Sequence, residues 1–163
     1  MARPRSVPDA TVHDAVLSLI RSKGEKAVTF SAVAARAGLA ASSLAERHGS
    51  VAGMISDTYA GVWSRIESAT EAAVAGAAQG PKGAVVLLKS LGGLGLPPVG
   101  ADPERAMIWR SRIEAELALR LGGGSRGRES AAVLFAFWQG QQMWQLAGAK
   151  TARLKDVVRR LSG

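Results

Sequence analysis

The chain has 163 residues, 47% of them hydrophobic and 21% charged, which is enough apolar surface for a packed core and too little charge for intrinsic disorder. It contains no cysteine and only two histidines, His13 and His48, so disulfide frameworks, thiolate nucleophiles and Cys- or His-rich metal sites are excluded together. Lys and Arg outnumber Asp and Glu by 21 to 13, a formal charge of +8 that favours a polyanionic partner without locating it, because the surplus is spread over residues 1–50 and 51–163 alike.

The opening stretch, Met1-Ala-Arg-Pro-Arg-Ser-Val-Pro-Asp9, has no apolar run behind its arginines, so a secretory signal is not expected and a cytoplasmic protein is. Asp9 is placed to cap a first helix, in which Val12, Ala15, Val16, Leu19 and Ile20 recur at helical spacing before Gly24 stops it. Thr29 or Ser31 would cap a short second helix that ends at Ala37-Gly38. Ala41 to His48 offers two further turns with Leu44 as the one large inward-facing side chain, before Gly49-Ser50 interrupts. With Ser50 as its cap, a long helix then carries Ile55, Tyr59, Val62, Trp63, Ile66, Thr70 and Val74 at helical spacing to about Ala78.

Gly80-Pro81 breaks that helix, Lys82 to Leu91 forms a short apolar one, and residues 92–100 read as a loop. Pro103 suits the first position of the next helix, which would present Met107, Trp109, Ile113, Leu117 and Leu121, with Arg110–Glu114 and Arg112–Glu116 as i, i+4 pairs. Gly122 to Gly127 reads as a flexible link. A helix from about Glu129 to Leu146 follows, and Thr151 would cap a last helix striped by Leu154, Val157, Val158 and Leu161. Ser130 to Ala149 is uncharged and long enough to span a bilayer, but Gln139, Gln141, Gln142 and Gln145 favour a helix buried among other helices, so no membrane partner is expected. No segment alternates with period two. The fold class expected is all-α: an N-terminal three-helix helix-turn-helix domain with a basic arm over residues 1–50, then a helical bundle over 51–163.

Enzyme chemistry finds no support. Gly76-Ala-Ala-Gln-Gly80-Pro-Lys82-Gly has the residues of a phosphate loop at the wrong spacing, and no nucleophile elbow, zinc-helix motif or paired-carboxylate constellation exists. No catalytic residue, metal or cofactor is therefore expected. His48 reads as a partly buried helix-end residue rather than a ligand or base, since no partner group stands near it in the sequence.

The helix ending in Lys23-Gly24, the block Thr29-Phe-Ser-Ala-Val-Ala-Ala-Arg-Ala-Gly-Leu39, then Leu44 and Gly49-Ser50 together resemble the N-terminal domain of TetR-family transcriptional repressors over about residues 9–56. The resemblance implies a homodimer formed through the last two helices, a ligand pocket in the C-terminal region and a double-stranded DNA operator as partner. It makes Ala41–His48 the recognition helix. Ser42, Ser43, Glu46, Arg47 and His48 would then face DNA, with Ser42 and Ser43 bonding bases or phosphates and Arg47 reading a guanine edge or a phosphate. Thr29 and Arg36 would touch or support contacts to the DNA backbone, and Arg3 and Arg5 would reach a minor groove or flanking phosphates. Ala45, His48 and Val51 depart from the family's usual aromatic, Phe and Lys, and Glu46 adds a negative charge.

In the C-terminal region Trp63, Met107, Trp109, Arg110, Ile113, Trp138, Gln141 and Gln142 are the candidate ligand contacts, chosen as bulky pocket walls and polar groups able to orient a guest. Leu134, Trp138, Gln142, Leu154, Val158 and Leu161 are the candidate dimer contacts. The reading is a dimeric repressor released from DNA by an unidentified small-molecule effector. The departures in the recognition helix keep a second reading open, a dimeric ligand-binding or protein-interaction module on a TetR-like scaffold whose recognition helix is degenerate.

Overall fold

The computed structural model describes residues 7–95, 98–144, 147–148 and 152–162. All regular structure among them is helical: α1 (Asp9–Lys23), α2 (Phe30–Ala37), α3 (Ala41–His48), α4 (Val51–Gly76), α5 (Pro81–Leu91), α6 (Pro103–Arg120), α7 (Gly124–Trp144) and α8 (Leu154–Ser162), with short 3-10 turns at Glu25–Ala27 and Val99–Ala101. The protein is therefore all-α. It divides into two compact units, Met1–Ser64 and Arg65–Gly163, and the division falls inside α4.

In the N-terminal unit α1 buries Val12, Ala15, Val16 and Leu19, and these meet Val28, then Val33, Ala34 and Ala37 of α2, Leu44 of α3 and Met54 of α4. Leu44 is the one buried residue of α3, so full burial of that side chain, worth about 1.5–3 kcal/mol, is the main apolar anchor of an eight-residue helix. The start of α2 is held by the Thr29 hydroxyl, which accepts the Ala32 N–H at 3.1 Å. Its end is made by Gly38 at φ 69°, ψ 36°, a left-handed conformation that a side chain would penalise and that turns the chain sharply toward α3. Ser50 caps α4 by accepting the Gly53 N–H at 2.9 Å. Asp9 is not the cap of α1: Pro8 holds that position, its carbonyl accepting the Thr11 N–H at 3.0 Å, and the Asp9 side chain is left for another partner.

In the C-terminal unit α6 and α7 pack along each other and α8 lies on α5 and α7. Trp109, Phe135 and Trp138 form a ring cluster with centroids 5.8–6.4 Å apart. The Trp109 indole N–H donates at 2.8 Å to the buried Thr70 hydroxyl, which itself donates to the Ile66 carbonyl at 2.7 Å, so both polar groups enter the core satisfied. Asp102 caps α6 through the Arg105 N–H at 3.0 Å, and the Arg105 guanidinium grips Glu67 through two bonds of 2.6 and 2.7 Å.

Four sequence expectations change here. Residues 122–127 are not a link: only the turn at Leu121–Gly123 precedes α7, and Gly127 is buried where an added Cβ would stand 2.9 Å from the Ala118 carbonyl oxygen. Glycine is there for close helix contact. Met107 is 62% exposed, because the buried face of α6 runs through Ala106, Trp109, Ile113 and Leu117, and a residue two positions from Trp109 points nearly opposite. Arg112 reaches Glu71 at 3.5 Å and Glu116 instead pairs with Arg120 at 2.6 Å. Finally, α4 stops at Gly76, slightly short of Ala78. The expected Thr151 cap and the Leu146 end of α7 lie outside the described residues. No helix among those described is long and apolar enough to cross a membrane.

Candidate nucleic-acid interface

The two short helices α2 and α3, joined at Gly38 and backed by α1, have the helix-turn-helix form, and the second of them carries the candidate contact surface. On α3 the burial of Leu44 fixes the helix's rotation. Ser42, Ser43 and Glu46 are consequently exposed, while Ala41 and Ala45 are half-buried. These three fall at i, i+1 and i+4 on the outward side of the helix, and Arg47, four positions after Ser43, is exposed beside them.

The two residues at the end of α3 are held by their own chain. The Arg47 guanidinium donates to the Asp9 carboxylate at 2.9 Å and to the Val7 carbonyl at 3.2 Å, which is where the Asp9 side chain goes once Pro8 has taken the cap position. The His48 ring, its side chain 4% exposed, sets Nδ1 2.7 Å from the Asp57 carboxylate of α4. A carboxylate only accepts, so the proton of that bond sits on Nδ1. His48 Nε2 has no partner among the described residues. The C-terminus of α3 is thus fastened to α1 and to α4. Beside it lies an open cleft of about 440 Å³ bordered by Asp9, His13, Arg47, His48, Asp57 and Gly61. At Gly61 an added Cβ would stand 2.6 Å from the His13 ring, so a side chain there would have to displace that ring. Among the described residues no group of three His, Asp or Glu side chains could hold a metal ion.

The expected DNA contacts therefore separate into classes. Ser42, Ser43 and Glu46 share the exposed face of α3. Arg47, expected to read a guanine or a phosphate, is spent on Asp9, and His48 is turned inward to Asp57. Thr29 works as the cap of α2, and Arg36 is exposed with its guanidinium donating to the Ser18 hydroxyl at 2.8 Å. Arg3 and Arg5 lie outside the described residues. The sequence marked none of the partners Asp9, Asp57 and Ser18, since each bond joins positions that come together only when the helices pack.

In the C-terminal unit, Trp138 and Gln142 border a cleft of about 430 Å³ completed by Leu91, Gly93, Leu94, Gly95, Gln139 and Met143. The other candidate ligand contacts are placed elsewhere. Trp109 and Ile113 are core, as is Trp63 in its own unit, and Met107 is on the surface. Arg110 pairs with Glu114 at 2.8 Å and lies over the Phe135 ring, and the Gln141 amide donates to the Ala152 carbonyl at 2.7 Å. The loop contribution of Leu91–Gly95 carried no sequence signal beyond its glycines.

The candidate dimer contacts also need correction. Leu134, Trp138, Leu154 and Val158 are buried within a single chain, because α8 lays its stripe on α5 and α7 of the same molecule, while Gln142 and Leu161 are half-buried. The large apolar side chains that α7 leaves on the surface are Val133, Met143 and Trp144.

Comparison with solved structures finds a fold match across nearly the whole chain. The crystal structure of a "putative transcriptional regulator" from Pseudomonas aeruginosa PAO1 superposes with a TM-score of 0.71 at 15% sequence identity, covering 94% of this chain and 86% of that one. At that identity the likeness is one of fold. No protein-family model matches the chain, and no curated protein does.

Proposed function

We propose that the protein is a TetR-like DNA-binding transcriptional regulator, a homodimeric repressor that holds a near-palindromic operator and releases it when a small molecule binds the C-terminal region. Residues 1–50 would be the DNA-binding head with its basic arm, and residues 51–163 the ligand-binding and dimerisation region. The observation that carries this reading is the head itself: α1 supports a capped α2, a left-handed Gly38 turn and an α3 whose outward face is free. The fold shared with the Pseudomonas protein supports it, as does the formal charge of +8.

In this scheme each head lays α3 in a major groove, the two half-sites being one helical turn of about 34 Å, or a multiple of it, apart. The exposed Val133, Met143 and Trp144 of α7 are apolar surface available to a second copy. The cleft beside Trp138 and Gln142 offers an apolar wall and two side-chain amides to an effector. Release requires that the effector bind the DNA-free form more tightly than the DNA-bound one, since a ligand without that difference shifts nothing.

One observation favours the second reading, a dimeric ligand-binding or interaction module with a degenerate recognition helix: Arg47, the single arginine of α3, is already paired. Selection of bound duplexes from a random pool at near-physiological salt separates the two. A regulator enriches a two-fold motif and binds it with an affinity that falls steeply with salt, as phosphate contacts release counterions. A well-folded protein that enriches nothing is the degenerate module.

A further inference from the structure

We infer that Glu46 is the base-reading residue of α3 and that it selects cytosine, an inference that rests on the DNA-binding reading above. Four side chains are exposed on the helix, Ser42, Ser43, Glu46 and Arg47, and of the two charged ones only Glu46 is left without a partner among the described residues. Its neighbour Arg47 turns to Asp9 and Val7, so the one cation beside Glu46 on α3 is engaged elsewhere.

An ionised carboxylate only accepts hydrogen bonds. Set among phosphates it repels DNA, and the repulsion is relieved only where a donor meets it. On the major-groove edges guanine offers the O6 and N7 acceptors and thymine the O4 acceptor, all of which repel a carboxylate. Adenine's N6 donor has an acceptor on either side, its own N7 and the O4 of the paired thymine, whereas cytosine's N4 donor has one on a single side, the O6 of the paired guanine. The carboxylate thus favours one base and opposes the other three, which is discrimination achieved largely by penalising the wrong partner. Ser42 and Ser43, four and three positions before Glu46, carry hydroxyls that either donate or accept, so they tolerate many bases and add little selectivity. The tether of Arg47 to Asp9 matters equally, because a free guanidinium beside Glu46 would read guanine instead.

The test is duplex selection with the full chain and its Glu46→Gln, Glu46→Ala and Arg47→Ala variants at near-physiological salt. Glu46 is exposed, so its variants should melt with the parent, and matched melting is checked first. The parent is expected to enrich a motif with a cytosine at one position of each half-site. Changing that C·G pair should weaken parent binding about tenfold or more, and Glu46→Ala binding by less than about twofold. Glu46→Gln should move the preference to adenine, whose N6 and N7 match an amide, with the remaining positions unchanged. A parent motif that both Glu46 variants keep at every position, while Arg47→Ala loses a guanine, overturns the assignment and leaves the DNA-binding reading intact. No enriched motif for the parent overturns both.

Discussion

Replacing Arg120 by Met tests how the C-terminal unit is held together. Arg120 is 2% exposed, and its guanidinium donates to the Glu116 carboxylate at 2.6 Å, the Glu116 carbonyl at 2.9 Å and, across to the end of α4, the Val74 and Ala77 carbonyls at 3.2 and 3.1 Å. Those last carbonyls belong to the group that any helix end leaves without an intrahelical partner. A net hydrogen bond to a charged group is worth about 1.5–3 kcal/mol, and removing one member of a buried pair costs about 3–5 kcal/mol. The bonds share one side chain and are not additive, and Glu116, 26% exposed, can regain water. The low end applies, about 3 kcal/mol. Arg120→Lys should cost roughly 1–2 kcal/mol, since one ammonium keeps the charge but cannot span both helices as a planar fork does. Urea unfolding followed by circular dichroism should show the midpoint falling with the slope unchanged in the transition that melts this unit. A loss below about 1 kcal/mol for Met, or equal losses for Met and Lys, would refute the account.

Thr29→Ala should destabilise the N-terminal unit by about 1 kcal/mol by uncapping α2, and Thr29→Ser should restore it; two variants equal in thermal melts would show that the hydroxyl bond contributes nothing. Tyr59 has a buried hydroxyl with no partner among the described residues, so Tyr59→Phe should leave stability unchanged or raise it by up to about 1 kcal/mol, and a clear loss in urea titrations would contradict that. Burial, reinforced by Glu25, pushes the Tyr59 phenol above its ordinary 10.0. The unfolded chain therefore ionises first, and stability present below pH 10 should fall as pH rises past it, a fall that the Phe variant lessens. The Arg105 hydrogen bond holds the Glu67 carboxyl below its ordinary 4.5 against the opposing effect of burial, so its contribution is complete above that value and is lost as pH falls through the lowered one. Glu67→Gln should flatten the acid side of the stability profile, and an unaltered profile would show the pair to be silent, as exposed pairs often are.

The N-terminal helices were legible because their limits are local. Thr29 caps the turn that follows it, Gly38 adopts a left-handed conformation within its own residue, and Ala41 to His48 ends at Gly49, all matters of a few neighbouring dihedral angles and hydrogen bonds. Periodicity likewise identified Leu44, Ile113 and Leu117 as inward-facing, since the helix angle alone decides which positions share a side. What the sequence by itself determined was therefore an all-α chain with a helix-turn-helix at its head and the rotation of α3 about its buried leucine. Partner choice was not legible. Arg47 read as a free cation until Asp9, 38 positions earlier, stood beside it, and Arg112 passed over Glu116 for Glu71 on another helix. The glycine-rich stretch 122–127 read as slack because composition does not distinguish a mobile glycine from one that lets α6 and α7 touch. The stripe of α8 read as a surface for a second copy, and the chain covers it with its own α5 and α7. A long side chain reaches several ångströms, and an apolar stripe accepts any apolar surface, so both are decided by what the packed helices bring within reach.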